Sequence, residues 1–434
     1  TASTDSPFDD PAGFVFGDSG DQNVIKCGSY VGNGNADGPE INLGWEPSFI
    51  LYKNSEESYD WRMYDSMRGI VTGGNDNFLA ANKTDAENTD NNKLSLTPTG
   101  FKVVSNDSDV NGSSRTIIYI CIRRPDGYVG KQYGAGEGTS LFAMDTGNSS
   151  SDGPAFDSNF AVDFALLQQP ASAGLDWRSF ARLTGTKSLA TNTTASEVTE
   201  SSNTSDYNDG FADSYTDVWQ SWMFKRHAGF DMVTYKGTGS TQNLNHSLGK
   251  TPEMIWVKCR SDGSTQWVVG HKGLNGGTNP WNYYLTLETT DAEIDNTVWD
   301  DTSPSSSNFT VGGSFSSLNT NGSNYIAMLF ASVDGISKVG SYTGPNPEAV
   351  VTIDCGFQPR FVIIKCATNA RDWAVFDTVR GIAAGADKKL ALNSSSAEVT
   401  TEDMIDLTSS GFSLPVSYLD TNWAGQKFIY YAHA

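Results

Sequence analysis

Four glutamates recur at a near-constant interval in this 434-residue chain: Glu87, Glu197, Glu293 and Glu398. A carboxylate kept at one place in every unit could ligate a metal, bind a sugar hydroxyl, or accept backbone N–H bonds in a loop. The last is the expectation here, because a residue present in every unit serves the common fold first. The four histidines (His227, His246, His271 and His433) form neither HExxH nor HxH, and neither GxSxG nor a P-loop occurs. Glycoside hydrolysis needs two carboxylates at set distances across a cleft. Pairs such as Asp300-Asp301 arise from composition alone in so acidic a chain. The expectation is no enzyme, no catalytic residue and no cofactor.

Two further constellations could carry chemistry. Asp107-x-Asp109-x-Asn111-Gly112 opens like an EF-hand loop, yet its twelfth position is Ile118 where a bidentate Glu is required. A surface calcium on Asp107 and Asp109 is the one metal site suggested, and an Asn-Gly turn explains the same residues. Trp281, Tyr283 and Tyr284, with Trp219 and Trp222, could stack on sugar rings as a glycan platform; core packing is the plainer reading of the same aromatics.

The glutamates close a nine-residue phrase that starts at a leucine: LAANKTDAE (79–87), LATNTTASE (189–197), LTLETTDAE (285–293) and LALNSSSAE (390–398). Its period of about 100 residues exceeds the roughly 20–50 of a solenoid unit and matches a whole small domain. Other features keep the same order. EPSFILYK (46–53), TPEMIWVK (251–258) and QPRFVIIK (358–365) share a proline and an apolar run closed by Lys. FAVDFALLQ (160–168) is the degenerate version, with Val162 for Pro and Gln168 for Lys. A tryptophan follows each: Trp61, Trp177, Trp267 and Trp373. Gly/Tyr phrases open the units (GSYVGNG, KQYGAGEG, VTYKGTGS, GSYTGPN), and IIYICI, VWQSWMFK, NYIAMLFA and KFIYYAHA close them.

These segments read as strands. They are short, β-branched or aromatic, and bounded by Gly, Asn, Ser and Asp; continuous apolar runs of this kind suit strands buried on both faces. The reading is all-β: four tandem β-sandwich (jelly-roll-like) domains of about 100 residues. The proline strand and the closing strand should sit at the centre of each. The tryptophan should fill the space between the two sheets, and the Lys (Lys53, Lys258, Lys365) could pair with the repeated Glu. DWAVFDTVRG (372–381) fits either a short helix or an alternating strand. Asn111-Gly112 and Asn321-Gly322 favour type I′ hairpin turns. The expected boundaries are an extended arm at 1–26 and repeats at 27–124, 125–228 (degenerate), 229–333 and 334–434. Ala434 matches Ala331 in register, as a C-terminal end would.

The formal charge is −22, from 51 acidic and 29 basic residues. That excludes a basic nucleic-acid footprint and argues against an anionic membrane surface. No apolar run approaches the roughly 18 residues of a spanning helix. The five cysteines are odd in number and lack CxxC, so free thiols in a reducing cytoplasm are expected.

Three stretches carry a resemblance: HAGFDMVTYKGTGSTQNLNHSLGKTPEMIWVK (227–258), YIAMLFASVDGISKVGSYTG (325–344) and RRPDGYVGK (123–131). The chain resembles the tandem repeat of large structural proteins of tailed bacteriophages, marine cyanophages among them, from about residue 13 onward. In that family the repeat often follows a laminin-G-like domain, which is not visible here. The resemblance implies a virion protein made in the bacterial cytoplasm, a tail-fibre or head-fibre component that helps adhere to host surface glycans. It implies other virion proteins as partners and a homotrimer. The alternatives are a capsid or tail decoration protein and a polysaccharide-degrading tailspike.

Overall fold

The structure is a computed structural model. It describes residues 24–124, 138–149, 153–313, 315–382, 385–416 and 418–434. The chain divides into two compact units, Thr1–Tyr133 with Arg182–Gly185, and Gly134–Ala181 with Thr186–Ala434. Both are all-β, and among the described residues there are four six-stranded antiparallel sheets of one connectivity. In each, the closing strand lies between the opening strand and the proline strand. The tryptophan strand, the leucine strand and a short edge strand follow in chain order.

In the first unit these strands are Ile25–Val31, Thr116–Arg123, Pro47–Asn54, Arg62–Asp65, Asp76–Ala80 and Asn88–Asn91. A smaller sheet of Glu40–Asn42, Gly100–Val103 and Leu94–Thr97 faces them. Phe101 of the small sheet meets Tyr119 of the large one edge-on at 5.8 Å. The opening strand starts at Ile25, inside the segment expected as an arm; residues 1–23 of that arm lie outside the described residues. The closing strand alternates strictly: Ile117, Tyr119 and Cys121 are buried, whereas Ile118, Ile120 and Ile122 are exposed. Successive side chains of a strand point to opposite faces, so this sheet has one covered face and one open face.

The second unit holds three such sheets. The second sheet is Phe142–Thr146, Gln220–Phe224, Phe164–Gln168, Arg178–Ala181, Lys187–Leu189 and Val198–Thr199. The third is Phe230–Lys236, Asn324–Phe330, Met254–Cys259, Val268–His271, Tyr283–Thr286 and Ile294–Asp295. The fourth is Ser337–Thr343, Lys427–His433, Phe361–Cys366, Trp373–Asp377, Asp387–Ala391 and Val399–Glu402. Each packs one face on its own small sheet. In the third, Ile255, Val257, Val268, Ala327 and Leu329 meet Phe309 and Val311. Burying one such side chain contributes about 1.5–3 kcal/mol; Phe309→Ala would cost about 3–5 kcal/mol by leaving a cavity. The proline strands of all three are buried at every position, so their other face is covered too.

Four expectations need correction or completion. Residues 372–381 form no helix; Trp373–Asp377 is a strand, because alternation, with Ala374 and Phe376 in the sandwich core, outweighs the apolar i, i+3, i+6 spacing. Asn111-Gly112 makes no type I′ turn. Asn111 ends a one-turn helix, Ser108–Asn111, and Gly112 has φ −54°. The buried Asn111 amide donates to the carbonyls of Asn35 and Ser105 and fixes that turn. In the third sandwich the matching helix is Ser316–Asn319, with Gly322 at φ 84° after it. The opening phrase KQYGAGEG and most of RRPDGYVGK lie outside the described residues. No helix among the described residues is long and apolar enough to cross a membrane.

Candidate functional site

The second face of each sheet in the second unit is an interface, and the repeated residues build it. Trp373 shares a face with Ile363 and Val375, since it pairs opposite Lys365; the sandwich core holds Val362, Ile364, Ala374 and Phe376 on the other face. Trp177, Trp267 and Trp373 therefore do not fill the space between two sheets, as expected, but point away from it. Each indole donates to a neighbouring sandwich. Trp177 Nε1 donates to the Ala391 carbonyl at 2.9 Å, Trp373 Nε1 to Thr286 at 2.9 Å and Trp267 Nε1 to Ala190 at 2.8 Å. Ala391, Thr286 and Ala190 are each the second residue of the nine-residue phrase. The donors run from second to fourth, fourth to third and third to second, so the series closes in three steps.

Backbone bonds repeat the cycle. The amides of Glu197, Glu293 and Glu398 donate to the carbonyls of Arg260, Ala367 and Pro170 at 2.9, 2.7 and 2.8 Å. Lys258 and Lys365 reach across to the carbonyls of Thr194 and Thr290 at 2.9 and 3.0 Å. Gln168 holds the equivalent place in the second sheet, and there the Gly174 amide donates to the Ser395 carbonyl at 2.7 Å instead. This is a head-to-tail contact whose rotation closes into a ring. Its centre is aromatic: Phe142 on Phe361 at 5.2 Å, Phe164 on Phe230 at 5.6 Å and Phe330 on Tyr431 at 5.0 Å.

The polar groups here are fixed rather than poised. Lys258 also donates to the Thr265 carbonyl and hydroxyl, and Lys365 to the carbonyls of Cys366 and Arg371. The expected Lys–Glu pairing is not formed; an ammonium with three donors is satisfied by three carbonyl or hydroxyl oxygens. Burial pushes both lysines down to about 8. Glu197 instead takes Arg260, itself 1% exposed, through Nε at 2.8 Å and Nη2 at 3.3 Å. Glu293 accepts the Asn275 amide, Glu398 meets Arg380 and Lys388, and Glu87 meets Arg68. Desolvation lowers His227, His271 and His433 to about 3, so they stay neutral inside the unit.

The glycan platform is not assembled. Trp222 is fully buried beside Trp177 at 5.2 Å. Trp281 and Tyr284 belong to the core of the third sandwich. Trp281 packs edge-on against Trp299 at 5.6 Å, over Gly270, where a Cβ would come within 2.5 Å of the Trp281 ring. Trp219 is half-buried against Tyr215, and Tyr283 is half-buried on the leucine strand. The calcium candidate is filled by cations of the chain itself. Lys93 Nζ lies 2.7 and 2.6 Å from the Asp109 oxygens and 3.4 Å from Asp107, and Arg62 adds a contact to Asp109 at 3.3 Å. Among the described residues no cluster suits a metal ion.

Sequence reasoning missed two positions. The fourth residue of the phrase caps the tryptophan amide: Asn82 for Trp61, Asn192 for Trp177, Asn393 for Trp373 and Glu288 for Trp267. Burial raises Glu288 to about 7. The signal was the shared Asn in three of the four phrases. The buried Asn111, Asn319 and Asn422, each tying the loop before the closing strand to carbonyls, had no signal beyond their place ahead of that strand.

No curated protein matches the chain. A family model described as "Domain of unknown function (DUF7483)" matches residues 22–125 and 217–434, which leaves out most of the degenerate second repeat. The first sheet and the third and fourth sandwiches thus carry its pattern, and the chain belongs to the DUF7483 family.

Proposed function

We propose that this chain is a non-enzymatic building block of a tailed-bacteriophage virion, a fibre segment or a decoration protein, whose partners are other virion proteins. One observation carries the reading: in the second unit the repeated residues form the bonds that join one sandwich to the next, as in the Trp177–Ala391, Trp373–Thr286 and Trp267–Ala190 series. The recurring side chains of that unit thus hold architecture together, which is what a particle component requires. The virion context comes from the resemblance of residues 227–258 and 325–344. Burial of Trp222, Trp281 and Tyr284 removes the stacking surface that a glycan adhesin would use, so assembly is favoured over adhesion. Immunogold or cryo-EM localisation on intact particles tests this. Regular label on fibres, tail or capsid is the expected result. Absence of the chain from particles would overturn it.

A further inference from the structure

All three sandwiches of the second unit meet at one buried corner. His227 lies in the link between the second and the third, and His433 ends the closing strand of the fourth. Their rings stand 6.1 Å apart at 82°. Phe142 of the second sandwich packs on His433 at 4.8 Å, and Arg360 lies over Phe142 at 5.5 Å. Both histidines are buried, and no protein group forms a hydrogen bond with Nε2 of either ring. Nε of Arg360 is orphaned in the same way, as is the hydroxyl of Tyr431, whose ring lies 6.3 Å from His433. The large majority of buried side-chain polar atoms in native proteins are paired, with protein or with ordered water. Four orphaned atoms on neighbouring side chains therefore call for a common partner.

Two other bonds fix which ring nitrogens carry the protons. Nδ1 of His227 accepts the Gly229 amide at 3.0 Å, so the neutral ring holds its proton on Nε2. Nδ1 of His433 lies 3.1 Å from the Ala434 carbonyl. That oxygen can only accept, so this ring holds its proton on Nδ1 and presents a lone pair at Nε2. One free nitrogen is a donor and the other an acceptor. A direct bond of about 2.9 Å would bring the ring centres to about 5 Å; the observed 6.1 Å suits one small bridging molecule. Gly229 keeps the corner clear, since a Cβ there would come within 2.7 Å of His227 Cε1.

We infer that this corner binds a single water molecule, which accepts from Nε2 of His227 and donates to Nε2 of His433. The protonation pattern selects the ligand. A metal ion would need a lone pair on both rings, and the lone pair of His227 is already given to Gly229. An anion would meet the lone pair of His433. Water donates and accepts at once, and buried waters take two to four polar partners. Its second lone pair suits the Arg360 N–H, and its second hydrogen the Tyr431 oxygen. The bridge ties the second–third link to the last strand of the fourth sandwich. It thus closes the same ring as the tryptophan bonds by an independent route, and it does not rest on the virion reading.

The test uses the full chain with ¹⁵N-labelled histidine, assigned through single variants. Long-range ¹H–¹⁵N spectra should show the Nε2–H tautomer for His227 and the Nδ1–H tautomer for His433. A rotating-frame experiment should give a cross-peak between the His227 Nε2 proton and water, with the sign of a through-space contact rather than of exchange. His433→Phe should abolish that peak; Phe224 and Phe330 hold the same position in the sister sheets, so the fold tolerates it. A crystal structure of the native chain should place one water within about 3.2 Å of both nitrogens. Matching tautomers, no cross-peak at His227 in the native chain, a peak that survives His433→Phe, or density that puts the two nitrogens in direct contact would overturn the inference.

Discussion

The indole of Trp177 donates to the carbonyl of Ala391, 214 positions later in the chain. The bond joins the second sandwich to the fourth, the two ends of the series of three. Trp373 and Trp267 reproduce it at the same positions of their units. The nine-residue phrase is thus the acceptor side of an interface. Its leucine begins the strand, its second residue accepts the neighbour's indole, its fourth caps its own tryptophan amide, and its glutamate amide donates across.

Trp373→Phe keeps most of the apolar contact and removes the donor to Thr286. A lost hydrogen bond of this type costs about 0.5–1.5 kcal/mol. Urea unfolding followed by circular dichroism should therefore show a lower midpoint with an unchanged slope. Trp61→Phe, measured under conditions that hold the chain monomeric, should change stability by less than about 0.5 kcal/mol. Equal losses in the two variants would count against the ring.

Arg260 is buried and its guanidinium faces Glu197 of the neighbouring sandwich. Glu197→Gln leaves that charge without its counter-ion and should cost about 3 kcal/mol, the lower end for a broken buried pair. The double variant Glu197→Leu with Arg260→Met removes both charges and should recover most of the loss. A double variant as unstable as the single one would show that the ion pair is not what couples the two sandwiches.

Acid should loosen the second unit through its histidines. The folded values of His227, His271 and His433 lie at about 3, below the unfolded value near 6.5, chiefly because burial strips the charged form of water. The unfolded chain then takes up protons first as pH falls. The stability they contribute is complete above about pH 6.5 and is lost between there and pH 3, at about 1.4 kcal/mol per histidine per pH unit. Glu288, raised to about 7, acts in the opposite sense: its cost develops as pH rises from its unfolded value toward 7. His433→Phe isolates one contribution, since Phe224 and Phe330 occupy the same position in the sister sheets. Between pH 7 and pH 5 the variant should lose about 2 kcal/mol less than the native chain. Parallel pH profiles would sink this account of the buried histidine.

Asp109 is held by Lys93 and Arg62, so calcium has no place there. Neither calcium nor EDTA should move the thermal midpoint of the full chain. Asp109→Asn leaves the Lys93 ammonium, only 6% exposed, short of its partner and should cost about 3 kcal/mol. A rise in the midpoint on adding calcium would restore the metal reading.

Much of the fold could be read from the residues. Period, strand positions and the central place of the proline and closing strands all follow from apolar runs and turn chemistry, which are local. What failed was the face. Trp61, Trp177, Trp267 and Trp373 come after a loop, and loop geometry decides whether a side chain enters the sandwich or leaves it. Continuous runs such as MIWVKC did indicate burial on both faces, but not that the second cover is another unit of the same chain. The exposed side of IIYICI was hidden for the converse reason: isoleucine at 118, 120 and 122 reads as core until a register assigns it outward. The aromatics at 219–222 and 281–284 were legible only as aromatics. Their burial depends on Gly270 and on partners such as Trp299, brought in from elsewhere in the chain.

The closed ring of the second unit is the central claim, and hydrogen exchange at the tryptophan indoles tests it most directly. In a sample with ¹⁵N-labelled tryptophan, assigned through single Trp→Phe variants, the indole N–H groups of Trp177, Trp267 and Trp373 should exchange slowly and lose protection together as denaturant opens the unit. Fast or unrelated exchange at any one of the three would contradict it.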